Sequence, residues 1–409
     1  MSTQLDRKPD RGGGRLGALF LTVFLDLLGF GLVMPLLPRY AETLHASSLH
    51  IGLLGASYSA MQFLFVPVWG RLSDRVGRRP VLLGSILATI GAMLVLGFAR
   101  SLFWLFAARL FGGVATANVA TAQAYIADST TPEARARGMG LLGVAFGLAF
   151  VLGPFFGGIL SSISLGTPAR VAAGLGVVNL LWAVRALPES LPAELRARNA
   201  IAPRAKVRLG LDTRAFARAI GTPGLGAVVA LYFVCTLSFA NLEQTFSLFA
   251  HDAFALDARH TGYVLGVVGV VAMIVQGGLI GPLNRAYGEI ALVRAGTLLQ
   301  ASGFGIVAYS AGHRLGWLYA GVVMLSAGQG VTTPSLSTLA SKRSPADAQG
   351  ASLGVMQALG ALGRVFGPTW GGFVYGLGYR LPYVTAALGL SAAFGVATLS
   401  LRGGPRVPR

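Results

Sequence analysis

Charge and cysteine are both scarce in this sequence. Only 12% of the 409 residues are charged and 54% are hydrophobic, whereas a soluble globular chain carries about 25% charge. This composition excludes an ordinary soluble domain and indicates a chain solvated mainly by lipid. Cys235 is the single cysteine, which excludes an internal disulfide and a cysteine metal site. The net charge of +18 accompanies no basic stripe interleaved with aromatic residues, so we expect no nucleic-acid partner.

Long apolar windows take the place of the missing charge. Windows of about 20 residues can cross the hydrocarbon core as helices, whereas an open strand would leave its amides unsatisfied in lipid. The sequence predicts twelve spans, at 16–38, 49–70, 80–99, 102–127, 138–162, 168–188, 221–250, 260–283, 290–311, 314–340, 349–376 and 380–401. We therefore expect an all-α membrane protein with twelve transmembrane helices.

The basic residues are distributed unevenly between the two sides of these spans. The termini and alternate loops on one side carry 25 of the 33 Lys and Arg residues, and the loops on the other side carry six. Basic residues concentrate on the cytoplasmic side of membrane proteins. The sequence therefore predicts a multi-pass protein with both termini in the cytoplasm.

The two halves of the chain repeat each other. GVAFGLAFVLGPFFGG (143–158) and QALGALGRVFGPTWGG (357–372) both end in GPxxGG, with their prolines 214 positions apart. GRLSDRVG (70–77) has a weaker partner, GPLNRAYG (281–288), 211 positions later. Two phased matches indicate duplication into two pseudo-symmetric six-helix bundles, an arrangement found in transporters. The domains predicted are a tail at 1–15, a bundle at 16–188, a linker at 189–220, a bundle at 221–401 and a tail at 402–409.

Four charged residues lie inside the predicted spans, one acid and one base in each half. They are Asp26, Arg109, Glu243 and Arg364. A charge at the bilayer centre costs roughly 2.5–3.5 kcal/mol on insertion scales, so such residues usually face protein or a watery cavity. Asp26 and Glu243 are 217 positions apart, close to the repeat offset, which predicts a similar depth in equivalent helices. The alternative is that each acid forms a fixed structural ion pair with an arginine.

GRLSDRVGRRPVLL (70–83) resembles the signature loop of the major facilitator superfamily. The resemblance implies a twelve-helix fold and a cytoplasmic gate, formed by Gly70, Asp74, Arg75, Gly77, Arg78, Arg79 and Asp128. A helix N-terminus favours an anion, so we expect Asp74 to lie against the start of the eleventh span, near Gly350. The arginines are expected to pair with Asp128. The alternative is a basic loop that sets topology and has no gating role.

Further motifs strengthen the resemblance. Arg109 in LFAARLFGGVATA is similar to the fourth-span arginine of the superfamily, and GPFFGG is similar to its antiporter motif, formed by Gly153, Pro154, Gly157 and Gly158. LDLLGFGLVMPLLP and MGLLGVAFGLAFVLGPFFGG resemble the tetracycline-efflux-like branch of the twelve-span drug:proton antiporters. This resemblance implies a bacterial inner-membrane protein.

These observations lead to a functional hypothesis. Asp26 and Glu243, with Arg109 and Arg364, exchange protons for substrate during alternating access. The protein would export small amphipathic molecules as a monomer in the bilayer, with protons as the coupling ion and no metal, cofactor or catalytic activity. Polar residues expected to line the substrate cavity are Tyr58, Gln62, Asn118, Gln123, Tyr232, Asn241 and Gln357. The alternatives are a proton-coupled importer, a metabolite or sugar exporter on the same fold, and a membrane scaffold without transport.

Overall fold

The computed structural model describes residues 12–116, 118–130, 132–201, 217, 221, 224–344 and 349–401. Within them the chain forms helices and no strands. The helices are α1 (Gly12–Val33), α2 (Leu37–Thr43), α3 (Ser48–Val76), α4 (Arg78–Gly97), α5 (Leu102–Ala115), α6 (Asn118–Ser129), α7 (Pro132–Ser161), α8 (Thr167–Ala186), α9 (Ala193–Ile201), α10 (Leu225–Phe254), α11 (Ala258–Ile274), α12 (Ile280–Ser310), α13 (Leu315–Arg343), α14 (Gln349–Tyr375) and α15 (Leu381–Ser400).

Nine stretches of the described chain are long and apolar enough to cross a membrane by length and composition. One of them, Ala258–Ser310, has 53 residues, about twice the length that one span needs. It is interrupted at Gly288, where the backbone angles φ 75° and ψ 163° leave the helical region. With this stretch counted as two spans, and with α13 and α14, the described residues contain twelve long helical spans. The predicted all-α class is confirmed.

Three spans are irregular in ways that the sequence did not predict. The first span passes from α1 through one tighter turn (Met34–Leu36) into α2, with prolines at both junctions. The fourth is divided into α5 and α6 at Thr116, whose φ of −73° and ψ of 94° are not helical. The eighth contains a wider π turn (Val275–Leu279) between α11 and α12. Interrupted helices inside a membrane are tolerated where protein or a cavity surrounds the freed backbone groups.

The buried apolar side chains form two clusters. One is drawn from residues 18–187 together with Leu248, and the other lies entirely within 225–401. Tyr125 is fully buried in the first cluster, and Phe246 and Tyr383 are fully buried in the second. Each half of the chain therefore packs around its own core, and this leaves the surface between the halves available for a site.

The two halves touch closely at one end of the bundle. A Cβ at Gly52 of α3 would lie 3.1 Å from Gly372 Cα of α14, and a Cβ at Gly262 of α11 would lie 3.3 Å from Gly158 Cα of α7. At the same two helix crossings, the carbonyl oxygen of Pro368 lies against Gly52 and that of Pro154 lies against Gly262. We call this contact the glycine seam; it consists of Gly52, Pro154, Gly158, Gly262, Pro368 and Gly372. It lies away from the basic loops, at the end where α3 and α11 begin.

The same four spans separate toward the basic end, which carries the loops at 70–80 and 284–294. A Cβ built at Gly70 of α3, Gly143 of α7, Gly281 of α12 or Gly354 of α14 would meet no heavy atom within 4 Å. Arg78 pairs with Asp74 and Asp128, and Lys342 pairs with Glu289, so each of these ion pairs lies within one half. The halves are therefore closed at the glycine seam and apart at the basic end.

Asp257 caps α11 at the seam end. Its Oδ1 accepts hydrogen bonds from the His260 backbone N–H at 2.8 Å and meets His260 Nδ1 at 2.7 Å, and the His260 backbone N–H chiefly lowers the pKa of Asp257. We expect Asp257→Ala to reduce the free energy of unfolding by about 0.5–1 kcal/mol at pH 7 and to lower the unfolding temperature accordingly. Because the pKa of Asp257 is lower in the folded state than in the unfolded state, the ionised carboxylate stabilises the fold at pH values above the unfolded pKa near 4. This stabilisation is lost as the pH falls through the pKa of the folded state. The difference between the two unfolding temperatures should therefore shrink at pH 3; an undiminished difference would contradict this account.

Candidate functional site

Asp26 lies in the middle of α1 and lines a small cavity inside the N-terminal half. The cavity has a volume of about 30 Å³ and is also lined by Phe30, Tyr58, Arg109 and Thr116. This volume holds about one water molecule. No nitrogen of a described basic residue lies within 4.0 Å of the Asp26 carboxylate. The carboxylate is half-buried and is therefore a titratable group at a polar cavity, not a member of an ion pair.

Arg109 of α5 also lines this cavity. Its guanidinium carbon lies 4.2 Å from the Tyr58 ring centroid, within the range of a cation–π contact. Its hydrogen bonds to protein are long, at 3.5 Å to the Leu54 carbonyl and 3.8 Å to Met34 Sδ. The side chain is 3% exposed. A buried cation with such weak partners places positive charge at the cavity without cancelling the Asp26 carboxylate.

The interruption between α5 and α6 lies beside these charges. Thr116 Oγ1 donates to the Gly112 carbonyl at 2.8 Å and lies 2.7 Å from the Tyr58 hydroxyl. Asn118, the first residue of α6, lies within reach of the Asp26 carboxylate. Neither amide atom of Asn118 meets hydrogen-bond geometry with a described partner, although the residue is 3% exposed. The broken helix therefore brings unsatisfied polar groups next to the acid.

Glu243 and Arg364 form the corresponding pair in the C-terminal half. Both are half-buried, in α10 and α14, and Arg364 is the charge that acts on Glu243. No ion pair within 4.0 Å joins these two side chains. The neighbouring Gln244 crosses between the halves, since its Nε2 donates to the Ile51 carbonyl of α3 at 2.9 Å. The structure thus shows neither of the two fixed ion pairs that the sequence left open.

The residues predicted to line a substrate cavity separate into three groups. Tyr58 and Asn118 lie at the Asp26 site, whereas Gln62 is half-buried and Gln123 and Gln357 are exposed. Tyr232 belongs to the C-terminal core and lies against Gly360. Asn241 Nδ2 donates to the Pro382 carbonyl of α15 at 2.9 Å. Tyr232 and Asn241 therefore pack helices within one half, and their assignment to a substrate cavity stays a prediction.

The gate loop connects α3 to α4 at the basic end. Gly77 adopts a φ of 110°, in the region of backbone angles that favours glycine. Arg78 Nε donates to Asp128 Oδ2 at 2.9 Å, and Arg78 Nη1 meets Asp74 Oδ1 at 2.6 Å. Arg79 Nη2 donates to the Val184 carbonyl at 2.6 Å. The expected Arg78–Asp128 pair is present. Asp74 was expected to lie against the start of the eleventh span near Gly350, directly after residues 345–348, which lie outside the described residues.

Glu189 is a part of this loop that sequence reasoning missed. Its carboxylate accepts hydrogen bonds from the backbone N–H groups of Arg78 and Arg79, at 2.9 and 3.1 Å, and from those of Ser190 and Leu191. A carboxylate at a helix N-terminus satisfies free donors and complements the helix dipole. Glu189 therefore attaches the start of the linker to α4. No local signal in the sequence pairs positions 110 residues apart.

The antiporter motif forms a ridge with two contact faces. A Cβ at Gly153 would lie 2.6 Å from Gly31 Cα, and a Cβ at Gly157 would lie 3.2 Å from Leu32 Cα, both in the first span. On the other face, a Cβ at Gly158 would lie 3.2 Å from Arg259 Cα of the opposite half. The small residues therefore permit close packing on both sides at once.

Comparison with known proteins agrees with this geometry. The sequence profile of the Major Facilitator Superfamily matches residues 19–368. The chain belongs to the major facilitator superfamily. It is 34% identical over 380 residues to the class C tetracycline resistance protein of Escherichia coli, covering 88% of this chain and 92% of that protein. It is also 31% identical to human major facilitator superfamily domain-containing protein 10, with 88% and 87% covered.

Solved structures show the same major facilitator architecture. The crystal structure of the human organic anion transporter MFSD10 matches with a TM-score of 0.70 and 28% identity, covering 95% of this chain and all of that chain. A bacterial homologue of the human lysosomal transporter Spinster matches with a TM-score of 0.74 at 17% identity, covering 97% of this chain and all of that chain, and supports the fold. The predicted superfamily, the resemblance to the tetracycline-efflux-like branch and the twelve-helix class are confirmed. The chain is a multi-pass membrane transporter for small molecules.

Proposed function

We propose that this transporter is a proton-coupled antiporter that exports small amphipathic molecules by alternating access. One observation carries the proposal: each half places a half-buried acid inside a span, near an arginine but without an ion pair. A carboxyl group that alternates between a dry pocket and the neighbourhood of an arginine binds and releases a proton as it moves. The names of the tetracycline resistance relatives support drug export.

The closed seam and the separated basic end fit one stage of such a cycle. With the basic loops in the cytoplasm, as the positive-inside tendency favours, this conformation would admit substrate from the cytoplasm. The reverse arrangement would release it outside the inner membrane. Protons are the only coupling ion in this proposal, which requires no cofactor, and the working unit is a monomer with two six-helix bundles.

A second candidate substrate class is favoured by Arg109. This buried guanidinium has only long hydrogen bonds, so it could accept an anionic group of a substrate. The resemblance to the human organic anion transporter MFSD10 is consistent with that possibility. An anion beside Asp26 would favour protonation of the acid, which couples proton and substrate in the same direction. A cation would favour deprotonation, which couples them in opposite directions.

Reconstitution into liposomes with an acidic lumen distinguishes these functions. The external panel would contain a lipophilic cation, tetracycline, an organic anion and a sugar, and a trapped dye would report luminal pH. Antiport predicts substrate uptake together with alkalinisation of the lumen. An organic anion that enters only when the outside is acidic would select symport, and no movement of any of the compounds would contradict the proposed export.

A further inference from the structure

The two loops that join the second span to the third in each half share an unusual backbone. Gly77 has φ 110° and ψ 159°, and Gly288, 211 positions later, has φ 75° and ψ 163°. Such angles are uncommon for residues other than glycine. The loop at 281–288, whose sequence match to the gate loop is weak, therefore repeats its geometry.

An ion pair follows each of these glycines. Arg78, directly after Gly77, pairs with Asp128 at the end of α6 at 2.9 Å. Glu289, directly after Gly288, pairs with Lys342 at the end of α13 at 2.5 Å. Glu289 follows Arg78 by 211 positions and Lys342 follows Asp128 by 214, which are the offsets of the repeat. The second pair therefore stands at the equivalent place with its charges exchanged.

A polar side chain of the second span supports each pair. Arg78 Nη1 donates to Ser73 Oγ at 2.6 Å, and Asn284 Nδ2 donates to Glu289 Oε1 at 3.4 Å. Asn284 follows Ser73 by 211 positions, and the hydroxyl accepts from the base whereas the amide donates to the acid. The supporting residue has thus changed its hydrogen-bonding role together with the charge, as an exchanged pair requires.

The exchange gives the two basic-end surfaces opposite exposed charges. In the N-terminal half the base is the covered member, with the Arg78 side chain 9% exposed and Asp128 and Asp74 at 22% and 48%. In the C-terminal half the acid is covered, with Glu289 at 17% and Lys342 at 61%. Within these pairs the more exposed partner is therefore a carboxylate in the N-terminal half and an ammonium group in the C-terminal half.

We propose that Glu289 and Lys342 are positioning residues of a second gate pair, and that Lys342 binds Asp128 across the halves when the basic end closes. Equivalent residues of two halves related by a twofold axis along the membrane normal lie on opposite sides of that axis, and they approach one another when the halves rock toward it at that end. An unexchanged repeat would bring like charges together there, whereas the exchanged pair attracts. The inference rests on the alternating access of the proposed function, but not on its substrate or its proton coupling.

Crosslinking tests the proposal without measuring transport. The reporter is Ser129→Cys with Ser344→Cys, next to Asp128 and Lys342, in a Cys235→Ala background in liposomes. A short bifunctional maleimide should join the two cysteines only when the basic end closes. Glu289→Lys with Lys342→Glu keeps the pair within the half but places a carboxylate opposite Asp128. Exposed charge pairs are weak, so we expect the crosslinked fraction to fall about two- to fivefold. An unchanged fraction in a folded double variant would overturn the proposal.

A double-mutant cycle provides the second measurement. Asp128→Asn and Lys342→Gln each remove one partner, and the losses within each half are expected to add because those partners are separate. We expect both single variants to reduce crosslinking and their combination to reduce it by less than the sum of the two single losses, because the contact across the halves is lost only once. Strictly additive losses would show that the two side chains never meet and would also overturn the proposal. Failure of proton-coupled transport with a normal cycle would instead reject the proposed function alone.

Discussion

Asp26→Asn is expected to abolish proton-driven accumulation of substrate while leaving the fold intact. A membrane potential of 100 mV supplies about 2.3 kcal/mol per charge, equivalent to roughly a 50-fold gradient of a neutral substrate per proton. Asparagine cannot carry the proton, so the accumulation ratio should fall from about 50 to about 1. Because Asp26 has no ion pair among the described residues, its neutral replacement breaks no ion pair.

The measurement is substrate uptake into liposomes with an imposed potential, together with thermal unfolding of each variant. Glu194→Gln, an exposed acid on the surface helix α9, is the matched control and should behave as the unmodified protein does. Glu243→Gln should also lower the accumulation ratio if the acids of both halves bind and release protons during transport. Full accumulation in both Asp26→Asn and Glu243→Gln would remove the acids from the coupling mechanism.

Gly262→Ala is expected to reduce the transport rate by about fivefold or more by opening the glycine seam. The new Cβ would lie 2.5 Å from the Pro154 carbonyl oxygen and 3.3 Å from Gly158 Cα. Both are backbone atoms, so neither can rotate away. Overpacking of this kind costs about 1–3 kcal/mol, which shifts the population away from the closed seam by roughly 5- to 150-fold.

A matched control lies one turn away on the same helix. A Cβ at Gly266 would come no closer than 4.0 Å to the Val151 carbonyl oxygen, so Gly266→Ala should transport normally. Thr43 and His313 are exposed residues of opposite halves at the seam end. Double electron–electron resonance between spin labels at these two positions would measure the distance between the halves and so report the opening. An unchanged distance distribution in Gly262→Ala would show that the seam absorbs the methyl group, contrary to this expectation.

The sequence was most informative where burial in lipid dictates the answer. The cost of exposing polar groups to hydrocarbon explains the twelve apolar windows and makes the four in-span charges stand out. The structure contains the predicted helices and the superfamily fold. The gate pair Arg78–Asp128 was also expected from the motif. The coupling roles of Asp26, Arg109, Glu243 and Arg364 stay predictions, because geometry alone does not measure proton transfer.

The sequence was least informative about which way a side chain points. Asn241 and Tyr232 look like cavity polar groups in an apolar span, but they pack against α15 and Gly360. A span that is apolar on all sides carries weak periodicity, so its inward face cannot be assigned from spacing. The break at Thr116 was missed for a related reason, since no proline marks it and its polar contact is with Tyr58, 58 positions away.

The two-faced ridge of the antiporter motif couples two distant events. Gly153 packs against Gly31, which lies five residues after Asp26, while Gly158 on the same helix packs against the opposite half. In the second repeat, Gly371 lies against Asn241, two residues before Glu243, while Gly372 meets Gly52. A close-packed ridge transmits displacement instead of absorbing it. In the proposed cycle, separating the halves at this end would therefore also move the backbone that carries each acid, and this movement would link proton occupancy to the direction of access.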